Sequence, residues 1–171
     1  MSLPVLIPED YTDARILISR QPNLVSCICY VTARFVPGYE ELRNTLTSVV
    51  SRFLQTVFNT AKDNGEGDLA NLQALIILYV FARGSLLETS AQSPFGTEIN
   101  YWPIKATCEA FAMHINLHRA VDFVKQREKT GSPLERRDIW TRKYLYWLWI
   151  YTSSQQCVSS LNNFNFANKT R

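Results

Sequence analysis

Apolar side chains recur every three or four residues along most of this chain, the repeat of one helix face, and short polar or Pro/Gly stretches divide the runs. "QPNLVSCICYVTARFVPG" places Pro22 near a first turn and Pro37-Gly38 as a stop, which predicts a helix over roughly 22–36. In the next segment Leu42, Leu46, Val49, Phe53, Val57 and Ala61 form one stripe. Glu40 and Glu41 precede it and Lys62 follows, charges that suit the helix dipole. The loop "DNGEG" ends it. Asp68 stands where a cap belongs before "LANLQALIILYVFARG". That run is apolar nearly all round, so it belongs in the middle of the packing, with Gly84 as its stop. Residues 84–100, rich in Ser, Thr and Gly, predict a loop.

"YWPIKATCEAFAMHINLH" then has Pro103 at a plausible first helical position and Ile104, Cys108, Phe111, Ala112 and Ile115 along one side. The last helix has the clearest start. Ser132 and Glu135 form a capping-box pair around Pro133, and the helix is expected to run to about residue 160. Trp140, Tyr144, Trp147 and Tyr151 make its main stripe, with Leu145, Leu148 and Trp149 beside it. Nothing alternates with period two, so the pattern predicts an all-α, irregular multi-helix domain of about five to seven helices. It is bounded as an N-terminal extension over 1–20, a helical domain over 21–161 and a polar tail over 162–171.

Composition agrees with a packed domain. Hydrophobic residues make up 46% and charged residues 19% of 171, and a chain of this length buries roughly 70% of its unfolded surface. The net charge of +3 is too weak to imply nucleic acid by itself. The start "MSLPVLIPED" lacks the basic and apolar regions of a signal peptide. The most apolar runs, "ALIILYVFA" and "LYWLWIY", are far below the roughly 20 residues of a membrane helix, so an intracellular soluble protein is expected. Cysteines 27, 29, 108 and 157 contain no CxxC and read as buried thiols in a reducing compartment.

Candidate chemistry begins with His114 and His118, the only histidines, spaced as two ligands on one helix face would be. Zinc catalysis wants a third ligand and a nearby carboxylate base. Ile115 stands where the HExxH pattern needs glutamate, and Glu109 falls on another face. His118 reads instead as a cation at a helix end, facing the C-terminal dipole. No GxSxG, Walker A or GxGxxG motif occurs, and the carboxylates read as solvated surface. From Arg119 to Lys143 eight Lys/Arg meet four Asp/Glu, a net of +4. Their interleaving reads as a solvated loop and helix start rather than a nucleic-acid groove.

Three stretches, in order, resemble the fungal-specific transcription factor domain, the middle homology region of zinc-cluster regulators. "LANLQALIILYVFARG" is similar to that family's Leu-Gln-Ala-Leu helix ending in glycine. "AFAMHINLHRA" is similar to its helix closing on Leu-Gly-Leu-His-Arg, which matches Leu117, His118 and Arg119 and puts Asn116 at the glycine. "LERRDIWTRKYLYWLWIYTSSQQCVSS" is similar to the helix carrying Glu135, the pair Arg136-Arg137 and the aromatic step Tyr146-Trp147. Ser153 stands where an aspartate often follows.

The resemblance covers roughly residues 68–160 and implies a non-catalytic nuclear regulator of transcription. Its eight matching residues are implied to be structural, with His118 an orienting, hydrogen-bonding group. The family's zinc sits in a separate six-cysteine DNA-binding module that is absent from this sequence, so no cofactor and no direct DNA contact are implied for this chain. Implied partners are a small-molecule effector or the transcription machinery, without a membrane. Relatives cover the aromatic helix with further helices, so a truncation on the C-terminal side is implied. Exposed rings and self-association are expected with it. A helical protein-interaction scaffold and a small helical enzyme are the alternative readings.

Overall fold

The computed structural model describes residues 13–33, 35–60, 65–87, 101–133 and 138–167. Among them stand seven α-helices and a short 3-10 turn, and no strand, so the fold is all-α. The span 21–161 was expected as one domain, but the chain divides at Asn116 into two compact units.

In the first unit, α1 (Ala14–Arg20) lies inside the stretch read as an extension. Asp13 starts it, its carboxylate accepting a hydrogen bond from the Arg15 amide at 2.8 Å. α2 (Pro22–Ala33) begins on its proline and buries Leu24, Cys27 and Val31. A turn with Gly38 at φ 85° follows. α3 (Glu40–Thr60) packs against α2, and its buried side shares Phe53 and Val57 with the expected stripe but departs from it in the N-terminal half. Val50, Phe53, Val57 and Arg43 are buried, while Leu42 and Val49 are exposed. Both sets obey the helical repeat, and Val49-Val50 offers an apolar residue to either face, so only packing selects between them. Ala61 and Lys62 lie outside the described residues.

α4 (Glu66–Leu87) is central, packing on α2 and on α5 (Tyr101–His114), with every residue from Asp68 to Tyr79 buried. Two punctuation marks change meaning here. The helix begins two residues before Asp68, which is a buried member of its first turn rather than the cap. Gly84 lies within the helix rather than ending it, since one glycine costs a helix only about 1 kcal/mol. Asn23 Nδ2 donates to Asn71 Oδ1 at 3.1 Å, a polar tie between α2 and α4. α5 buries Ile104, Cys108, Phe111 and Ala112, the side expected. Pro103 occupies its third position, where the missing N–H has no helical partner to lose.

The helix expected to run through His118 stops at His114. Asn116 adopts φ 54°, the left-handed region that glycine enters freely and asparagine tolerates better than most residues.

The second unit starts with the 3-10 turn Leu117–Arg119 and runs directly into α6 (Ala120–Thr130). The basic stretch expected as a solvated loop and helix start therefore holds a whole helix before that start, with Ala120 and Val124 on its buried side. Gly131 ends it at φ 67°; its amide donates to the Glu128 carbonyl at 3.2 Å and that of Ser132 to the Arg127 carbonyl at 3.1 Å. α7 (Ile139–Ala167) starts later than the capping box suggested and extends beyond residue 161 into the stretch read as a polar tail. Its cap is Asp138, whose Oδ2 accepts from the Thr141 amide at 3.0 Å and the Thr141 hydroxyl at 3.2 Å. Glu135, Arg136 and Arg137 lie outside the described residues.

Candidate functional site

The described motif residues Leu117, His118, Arg119, Tyr146 and Trp147 gather around one joint in the second unit, and a ring stack stands beside it in the same unit. At the joint, the turn carries Leu117 inward, fully buried. It also sets the His118 ring edge-on to the Trp147 indole, with ring centroids 6.2 Å apart and planes at 63°. Tyr146, the neighbour of Trp147, is 1% exposed. Leu117 and His118 of one motif and Tyr146 and Trp147 of the other thus belong to the same packed unit, while Arg119 is exposed.

Two expectations for the histidines change. His118 stands at the entrance to α6 rather than the exit of α5, so it does not complement a C-terminal dipole. Its Nδ1 is buried without a hydrogen-bond partner among the described residues, so the aromatic contact, not a hydrogen bond through that atom, orients the ring. His114 ends α5, its ring edge-on to Phe58 at 5.7 Å and tilted against Phe111 at 6.2 Å. The turn at Ile115-Asn116 takes the chain out of the helix between the two histidines. Among the described residues no three His, Cys, Asp or Glu side chains gather as a metal site would require.

The stack ties α6 to α7. Phe123 and Trp140 lie nearly parallel, centroids 5.2 Å apart at 25°. The Arg127 guanidinium sits 5.0 Å from the Phe123 centroid and the Lys143 ammonium 4.7 Å from that of Trp140. Each cation meets the negative face of a ring, worth roughly 0.5–1 kcal/mol where exposed and about 2 where desolvated. Lys143 is 1% exposed, so its contact belongs to the stronger class. Arg127 Nη1 also pairs with Asp138 Oδ2 at 3.6 Å, which joins the end of α6 to the cap of α7. Phe123 and Arg127 were missed because they sat in the charged stretch read as loop. Their spacing of four, with Ala120 and Val124 beside them, was the available signal.

The face of α7 that is buried is also not the one expected. Arg142, Lys143, Tyr146, Trp149, Ile150 and Ser153 are buried, Trp140, Tyr144, Leu145 and Trp147 are half-buried, and Leu148 and Tyr151 are exposed. A helix with rings on all sides gives the period no contrast from which to choose a face.

Two thiols stand out electrostatically. Burial pushes Cys27 up to about 12. Burial, then the neighbouring Glu109 charge, pushes Cys108 up to about 12 as well. Both are inert neutral thiols at ordinary pH. Cys29 is exposed, and nothing is described for the Cys157 side chain. No helix among the described residues is long and apolar enough to cross a membrane. No family model matches the chain, and neither a curated protein nor a solved structure does.

Proposed function

We propose that this chain is the regulatory middle homology domain of a fungal zinc-cluster transcription factor. It is non-catalytic and nuclear, and it modulates transcription through a small effector or by restraining an activating segment of its own protein. The zinc and the DNA contacts belong to a module elsewhere in that protein. With no family model matching, the support is the motif residues and their geometry. The observation that carries the proposal is the backbone turn at Asn116 together with the His118–Trp147 contact that follows it in the second unit. The one position where the related motif has glycine takes a left-handed φ of 54°, and the histidine two residues on packs against the tryptophan of the third motif. A turn that requires glycine or asparagine, followed by a ring contact to a distant helix, is a physical reason for those residue types at that spacing.

A second reading, a protein-interaction scaffold, is favoured by the turn after α2. Phe35, Val36 and Tyr39 are exposed there, as is Leu42 in the first turn of α3, with Phe35 66% accessible and edge-on to the exposed Phe81 at 6.0 Å.

The transcript upstream of Met1 separates the two. The regulator reading expects an in-frame six-cysteine cluster with CxxCxxxxxxC halves. An in-frame stop just upstream, with no such cluster, moves the assignment to the scaffold.

A further inference from the structure

Ser132-Pro133 opens the capping box expected at the last helix, yet the cap of α7 is Asp138. The Ser132 amide instead closes the end of α6 on the Arg127 carbonyl, and its side chain is not what caps α7. We propose that Ser132 is a phosphorylation site for a proline-directed kinase, and that its phosphate draws Arg127 away from Asp138.

Four consecutive exposed residues, Thr130 to Pro133, surround the site. Ser132 and Pro133 lie outside any helix, and a residue before proline is biased toward the extended backbone that a kinase cleft accepts. Thr130 is the poorer acceptor. It is the last residue of α6, and its hydroxyl already donates to the Arg127 carbonyl at 2.9 Å. The Ser132 hydroxyl meets only that of Thr130, at 3.2 Å, among the described residues. In the transfer, the γ-phosphoryl of a nucleoside triphosphate moves to Ser132 Oγ. The new O–P bond forms as the bond to the bridging oxygen breaks, the diphosphate leaves with that electron pair, and the hydroxyl proton passes to the kinase's base.

What the phosphate meets follows from the cap. The Ser132 amide is held by the Arg127 carbonyl at 3.1 Å, so the dianion is introduced at the C-terminal, partially negative end of α6. The last turn of α6 carries two cations, Arg127 and Lys129; Arg127 is the one that also reaches α7, and its present partner, Asp138, is 3.6 Å away in a weak, partly solvated pair. A phosphate offers the guanidinium bidentate, charge-assisted hydrogen bonds instead. Once Arg127 moves, the α6 end is no longer tied to the cap of α7, and Phe123 loses its covering cation. The proposal goes beyond the regulatory reading and needs only that the chain meet such a kinase.

The test treats the full chain with a proline-directed kinase and ATP, maps the phosphate by mass spectrometry, and follows amide hydrogen exchange across residues 138–146. The expected result is one phosphate on Ser132, absent in Ser132→Ala. Exchange at the start of α7 should be roughly two- to fivefold faster, the scale of one partly exposed ion pair. In Arg127→Gln the phosphate should still be added but should change exchange little. No phosphate on Ser132 in the folded chain overturns the site. An equal change in exchange in Arg127→Gln overturns the exchange of partners.

Discussion

Tyr146→Ala is expected to cost about 3–5 kcal/mol, while Tyr151→Ala changes stability by less than about 0.5 kcal/mol. The two tyrosines lie on the same helix five residues apart and look equivalent in sequence. Tyr146 is 1% exposed and Tyr151 54% exposed. Truncating the first leaves a cavity in a closely packed interior, and truncating the second removes a ring that is mostly in water. The larger loss approaches the whole stability of a small domain, roughly 5–15 kcal/mol. Denaturant melts of the two variants check this; equal losses would mean that the buried face of α7 has been assigned to the wrong side.

Alkaline pH is expected to destabilise the first unit steeply. The thiols of Cys27 and Cys108 titrate near about 12 in the fold and near the ordinary value of 9.0 once unfolded. A raised folded value means that the folded state holds its protons more tightly. Stability from these groups is therefore complete below pH 9 and is lost as pH rises from there toward 12. Between those values each thiol withdraws on the order of 1.4 kcal/mol per pH unit, so the pair withdraws roughly twice that. Replacing both with alanine should lower stability modestly at neutral pH through lost packing and flatten the slope above pH 9. Urea melts at a series of pH values, compared between the parent and the double variant, measure the slope directly. Identical slopes would show that neither thiol is buried as described.

Helices were legible where composition left little choice. The buried side of α5 follows from Ile104, Cys108, Phe111 and Ala112 at helical spacing. The central place of α4 follows from a run with no polar face. Faces were illegible where two adjacent residues were equally apolar. In α3, Phe53 and Val57 of the expected stripe are buried, but Val50 takes the place of its neighbour Val49; the rings on every side of α7 hid the choice of Tyr146 over Tyr151. α6 was hidden by its charges, because Asp122, Lys125, Arg127, Glu128 and Lys129 outweigh the short apolar signal of Ala120, Phe123 and Val124. Single-residue punctuation was the least dependable signal: Asp68 and Gly84 sit inside α4, and Ser132 precedes a helix that Asp138 caps. At the candidate site, Leu117, His118, Tyr146 and Trp147 were identifiable as motif residues. The ring contact between His118 and Trp147 was not, since no local period links positions so far apart in sequence.

We propose that this chain modulates transcription, in the restraining form of the regulatory reading, with the His118–Trp147 joint holding the unit that does so. A reporter assay tests it most directly, with the full chain inserted between a heterologous DNA-binding module and an activating segment. Insertion should lower reporter output, and Trp147→Ala or His118→Ala should restore it at equal protein level. Output that is the same with and without the chain would contradict the claim.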